Sequence, residues 1–257
     1  MSEFVPRVIR PRVIPVLLLR DQLLYKTQSF KNPTYVGDPR VAVRIFNDKS
    51  VDEIIVLDID ATKQGRAPNF KLIEEIAGEA FMPFTYGGGI SNINDARQLF
   101  NLGVEKLVVS TMAVKSPDLI YELSTKFGAQ SIVVCIDLKK NFFGKTVVVS
   151  DGSRKNSKFA PVQFAVKMQE MGAGELIIQS VARDGTMSGF DKEWTKRVSD
   201  AVDIPVVALG GASNVSDLKS IIVESGASAA AAGAMFVFQG PHRAVLISYP
   251  DEKDFIQ

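Results

Sequence analysis

Short runs of continuous apolar residues alternate along the chain with longer segments in which apolar positions recur every three or four residues. The runs are VIPVLLL (13–19), EIIVLDI (53–59), MPFTY (82–86), KLVVS (106–110), SIVVCID (131–137), ELIIQS (175–180), IPVVAL (204–209) and ASAAAAG (227–233). Parallel strands covered by helices on their outer side read this way, because neither face is left to water. Between them RVAVRIFNDK, NFKLIEEIAGEA, NINDARQLFNLG, PDLIYELSTKFG, PVQFAVKMQEMG, DKEWTKRVSDAV and NVSDLKSIIVESG carry helical periodicity. Gly103, Gly128, Gly172 and Gly226 close four of these helices at the position of a glycine C-cap. About eight β-then-α units in this length predict one closed (β/α)8 TIM barrel spanning residues 1–257, with an open doubly wound sheet as the alternative. One segment breaks the alternation. FFGKTVVVSDGSRKNSK (142–158) reads as a hairpin inserted after the fifth strand, its SRKNSK portion as a loop on the catalytic side.

The two halves echo each other. PFTYGGGISN (83–92) returns as PVVALGGASN 122 positions later, and IDAT (59–62) returns as RDGT (183–186). A duplicated half-barrel produces such an internal repeat. In each copy a strand ends in bare glycine ahead of a helix, which exposes backbone N–H groups next to a positive helix terminus and suits a phosphate. Gly88 and Gly89 with Ser110 and Thr111 make one candidate anion site. Gly210 and Gly211 with Gly185, Gly233 and Ala234 make the other. The alternative is that the glycines serve only tight turns; their recurrence in both halves favours the anion sites. The ligand they suit is long and phosphorylated at both ends.

Composition narrows the chemistry. Thirty Lys and Arg against 29 Asp and Glu predict neither a nucleic-acid surface nor a membrane partner. The single Cys135 precludes an internal disulfide and reads as a small buried hydrophobe. The lone His242 precludes a multi-histidine metal site, and no metal or other cofactor is expected. No apolar stretch reaches 18 residues and the first residues lack a signal-peptide pattern, so a cytoplasmic protein is expected.

Together, RVIPVLLLRD, VDEIIVLDIDAT, PFTYGGGI, FGAQSIVVCIDLK, GAGELIIQSVARDGTMSGFD and PVVALGGAS resemble HisF, the cyclase subunit of imidazole glycerol phosphate synthase, from about Arg12 to Phe238. The resemblance implies a barrel docked to a HisH-type glutaminase, whose ammonia travels along the barrel axis to a bisphosphorylated ribonucleotide. It implies a catalytic aspartate at the end of strand five, matched by Asp137, and one at strand one, where this chain has Leu18. Ala182 and Leu209 likewise replace a family Asp and Ser. Lys26 matches a substrate-loop lysine, and Asp58 and Asp184 lie at strand ends where they would meet substrate; Asp21, three residues on from Leu18, is the alternative acid. Arg12, Glu53, Lys106 and Glu175 match the ring of charges that gates the ammonia entrance in the family.

Leucine neither gives nor takes a proton, so the expected entrance is complete while the expected acid–base pair is halved. Three functions follow. The first is a specialised HisF-like subunit, resembling proteins encoded with surface-polysaccharide genes, that supplies ammonia through a sugar amidotransferase to an acetamidino sugar. The others are a genuine cyclase/lyase of histidine biosynthesis and a non-catalytic scaffold that activates a glutaminase.

Overall fold

The computed structural model describes residues 12–251 and 253–256. The first eleven residues, on which the signal-peptide reading rests, lie outside them. In chain order the elements are β1 (Arg12–Arg20), β2 (Leu23–Gln28), β3 (Lys31–Gly37), α1 (Pro39–Asp48), β4 (Ile54–Asp58), α2 (Phe70–Glu79), β5 (Phe84–Gly87) and α3 (Ile93–Asn101). There follow β6 (Lys106–Val109), α4 (Thr111–Lys115), α5 (Asp118–Phe127), β7 (Ile132–Lys140), β8 (Thr146–Ser150), β9 (Lys155–Asn156), α6 (Pro161–Glu170) and β10 (Glu175–Ser180). The last are α7 (Lys192–Ser199), β11 (Val206–Leu209), α8 (Val215–Ser225), β12 (Ala229–Ala232), α9 (Ala234–Val237), β13 (Phe238–Gln239), β14 (Ala244–Val245) and α10 (Lys253–Ile256).

Eight parallel strands close the expected barrel. The order β1-β4-β5-β6-β7 continues through β10, β11 and β12 and returns to β1, with the β7–β10 pair completing the circle. Alternation along each strand sorts the side chains. On β1, Ile14, Val16 and Leu18 face the barrel interior, while Val13, Leu17 and Leu19 pack under the helices. The outer shell is continuous from Phe46 through Phe84, Leu99, Phe164 and Ile221 to Phe236. Inside, Ile55, Val108, Val133, Cys135, Ile177, Val207, Ala229 and Ala231 give an apolar axis with small side chains on β12.

The half-barrel repeat is visible in the helix caps. Asn92 caps α3 and Asn214 caps α8 through their side chains, and Asp95 and Asp217 each accept from the N–H and hydroxyl of the serine before the cap. Three segments differ from expectation. The first strand is followed by a second hairpin, β2–β3, which pairs with β1 and carries Lys26. SRKNSK is partly ordered as β9, which pairs with β8. The chain end returns through the β13–β14 hairpin to the four-residue α10, and Tyr249 donates to the Val13 carbonyl at the barrel bottom. Among the described residues no helix is long and apolar enough to cross a membrane.

Candidate functional site

The C-terminal ends of the strands form the mouth, and the inward residues of β1, β7 and β10 meet there. Asp137 is buried on β7, accepts a hydrogen bond from Ser110 Oγ at 2.9 Å and stands 3.6 Å from Cys135 Sγ. Burial raises its carboxyl to about 6 against the opposing help of Ser110 and Cys135, and the Asp184 charge adds to the rise. Such a group is mostly ionised at neutral pH yet close enough to it to accept and return a proton. Cys135 is buried as expected, but it faces the axis beside Asp137 and Gln179 rather than the helix shell.

Across the mouth Lys26 Nζ meets Asp184 Oδ1 at 2.7 Å, and Thr27 Oγ1 donates to Asp184 Oδ2 at 3.0 Å. Both charges are almost fully buried, so each requires the other. The β2–β3 hairpin delivers Lys26, and Ser29 N donates to the Asp184 carbonyl, which ties this hairpin to the loop after β10.

Leu18 is 7% exposed and, with Gln179, lies between two cavities. The first has a volume of about 140 Å³ and is lined by Gly88, Gly89, Ser110, Thr111 and Asp137, so the structure joins the first pair of predicted anion loops. The second collects Gly185, Gly210, Gly211, Gly233 and Ala234 but holds only about 10 Å³, roughly one water. The sequence equates the two sites; the structure leaves one open and packs the Lys26–Asp184 pair against the other.

The glycines are needed for close backbone approach. A Cβ on Gly88 (φ +117°) would lie 2.4 Å from the Asp58 carbonyl oxygen, and one on Gly211 (φ +108°) 2.1 Å from that of Gly189. The donors expected at the following helices are largely used, because Asn92 and Asn214 cap α3 and α8 themselves. Two helix starts at the cavities have no side-chain cap, that of α4 at Ser110 beside the first and that of α9 at Gly233 beside the second. Asp58 sits at the mouth but is engaged. It accepts from Asp60 N, Ala61 N and Arg66 and forms an ion pair with Arg66 at 2.8 Å. Asp21 occupies a tight turn at φ 48°, with its side chain exposed toward Arg20, and it lines neither mouth cavity.

The opposite end of the barrel carries a closed ring of ions. Arg12 bridges Glu53 at 3.2 Å and Glu175; Lys106 bridges the same carboxylates at 3.2 and 3.0 Å. Thr85 adds a donor to Glu53 at 2.9 Å. Arg12 on β1 and Lys106 on β6 both reach Glu175 on β10, a strand that neighbours neither, so these side chains must converge on the axis to touch. Among the described residues no group of His, Cys, Asp or Glu is placed to hold a metal.

The model of the histidine biosynthesis protein family matches residues 12–242. Imidazole glycerol phosphate synthase subunit HisF of Alkaliphilus metalliredigens is 38% identical over 229 residues, covering 89% of this chain and 91% of that protein. The chain belongs to the HisF family.

Greater similarity is found to two HisF-family proteins whose synthase names are provisional. Subunit hisF2 of Pseudomonas aeruginosa is 48% identical over 95% of this chain and 97% of its own length. Subunit hisF3 of Vibrio vulnificus is 42% identical, covering 96% of each chain. Within this HisF framework, sequence reasoning missed Arg66, the partner of Asp58, because it stands in a stretch read as a connection. It also missed Gln179, which occupies the mouth centre as a plain polar residue at a strand end. His242 is exposed in the β13–β14 turn and Trp194 lies under Arg197 on α7, and neither lines a mouth cavity.

Proposed function

We propose that this chain is a HisF-type synthase subunit that receives ammonia from a HisH-type glutaminase and passes it along the barrel axis to the mouth. It would act as a specialised paralogue that supplies ammonia for an acetamidino sugar of surface polysaccharide, with a sugar amidotransferase as acceptor protein. The observation that carries this reading is Leu18, a buried leucine facing the mouth where a cyclase of this family needs its second proton-handling group.

The physical steps follow from the two ends of the barrel. The ionic ring closes the axial entrance and keeps each buried carboxylate neutralised, so opening it requires two or more ion pairs to separate together. Beyond it the apolar interior favours neutral ammonia over ammonium, whose burial without a counter-charge is costly. At the mouth, the amine adds to a C=O or C=N carbon whose π electrons move onto the heteroatom, and Asp137 takes the amine's surplus proton and returns it to that heteroatom. The open cleft beside Gly88, Gly89, Ser110 and Thr111 holds a phosphate of the ligand, and the buried Lys26–Asp184 pair fixes the opposite wall. One proton acceptor suffices for amine transfer. Ring closure to an imidazole requires proton donation as well, and Leu18 supplies none.

Glutamine hydrolysis by a HisH-type glutaminase should rise on titration with this chain and saturate at equimolar subunits. Absence of both stimulation and co-elution in size-exclusion chromatography would remove the glutaminase from this reading.

A further inference from the structure

The β7–β8 hairpin projects beyond the mouth and ends in two adjacent aromatic residues with nothing packed on them. Phe142 is 98% and Phe143 88% exposed; their rings touch each other edge to face at 5.6 Å between centroids. The turn holding them is built by design of its backbone. Asn141 Oδ1 accepts from Phe143 N and Lys145 N, and Gly144 takes the left-handed conformation at φ +76°. The tip is therefore a defined presentation of two phenyl rings.

The stem is cationic. Residues 138–158 contain Lys139, Lys140, Lys145, Arg154, Lys155 and Lys158 against the single Asp151, a net of +5 in a chain whose total is +1. Asp151 is buried and occupied by Lys115 and Lys155. Lys140, Lys145 and Lys158 are exposed and make no ion pair among the described residues. Whole-chain charge balance concealed this concentration, which is why the sequence predicted no membrane partner.

We propose that this hairpin is a membrane-interface anchor, in which Phe142 and Phe143 enter the headgroup–acyl boundary of an anionic bilayer while the lysines of the stem meet its phosphates. An apolar tip above a belt of cations matches the polarity gradient of a bilayer surface. Its cations are five lysines and one arginine. That choice favours lipid over a protein partner, because protein interfaces are depleted in Lys and enriched in Arg. The two rings bury too little area for permanent attachment, so binding is reversible and depends on both features. It would orient the barrel mouth toward the membrane surface, and it stands or falls independently of the ammonia reading.

Co-sedimentation of the full chain with vesicles tests this. Binding to phosphatidylglycerol/phosphatidylcholine vesicles should exceed that to pure phosphatidylcholine vesicles by about tenfold and weaken with salt. Phe142→Ser/Phe143→Ser and Lys140→Glu/Lys145→Glu should each reduce it about tenfold. Because all four side chains are exposed, thermal melting of both variants should match the parent. Failure of the parent to bind anionic vesicles, or binding that survives loss of the two phenylalanines, overturns the proposal; in the first case a protein with an acidic pocket becomes the occupant to seek.

Discussion

Lys106→Met breaks the ring of ions at the barrel bottom in the most informative way. Lys106 Nζ contacts Glu53 at 3.2 Å and Glu175 at 3.0 Å, and these carboxylates are only 3% and 6% exposed. Methionine fills a similar volume, so packing changes little and charge becomes the variable. Arg12 is then the only ring cation for two buried anions. Removing one partner of a buried pair costs about 3–5 kcal/mol. Arg12 still reaches both carboxylates and Thr85 still donates to Glu53, which places the expected loss near the lower end, about 3 kcal/mol. For a chain of this size that lowers the melting temperature by roughly 6–12 °C. Urea unfolding should show a lower midpoint with an unchanged slope. The double variant Lys106→Met/Glu175→Gln removes the surplus negative charge and should recover about 2 kcal/mol. A single variant as stable as the parent, or a double variant no better than the single, would refute the claim that the four charges neutralise one another on the axis.

Two further outcomes follow from the mouth. The folded carboxyl of Asp137 titrates at about 6 rather than at 3.8, so its contribution to stability is present at low pH and lost as pH rises through about 6. Asp137→Asn should therefore stabilise the protein by roughly 1–3 kcal/mol at pH 7 and leave it unchanged near pH 4, as measured by urea midpoints at both values. Any amine transfer that uses this carboxylate as base should fall as pH drops below about 6. Gly88→Ala forces a Cβ to within 2.4 Å of the Asp58 carbonyl at a left-handed φ, and should cost roughly 3 kcal/mol or more in thermal stability. An alanine variant that melts with the parent would show that the loop relaxes freely.

The eight barrel strands were legible because double-sided burial writes itself as continuous apolar runs, and each predicted run contains an observed barrel strand or most of it, β7 alone extending well past its run. The β2–β3 hairpin was not. Its LLYKTQ and KNPTYVG segments carry neither a continuous apolar run nor strict alternation, and they owe their pairing to the edge that β1 offers beyond the barrel rim. At the mouth, Lys26 from the β2–β3 hairpin pairs with Asp184 from the loop after β10, across from Asp137 on β7. What sequence did not convey was pairing. Asp58 is held by Arg66, and the second glycine site is closed by the Lys26–Asp184 pair, because both depend on loops whose paths no periodicity records. The four charges at strand starts were recognisable only together, through their resemblance to a family pattern; their contact on the axis is a property of the closed barrel.

The central claim is an ammonia-conducting barrel whose outlet lacks the second proton-handling side chain. It is tested most directly by turnover of the bisphosphorylated aminoimidazole carboxamide ribonucleotide with saturating ammonia, in the parent and in Leu18→Asp. The parent should form no imidazole glycerol phosphate and Leu18→Asp measurable product, because the new carboxylate faces the open cleft beside Asp137. Turnover by the parent at rates typical of the family's cyclases would contradict it.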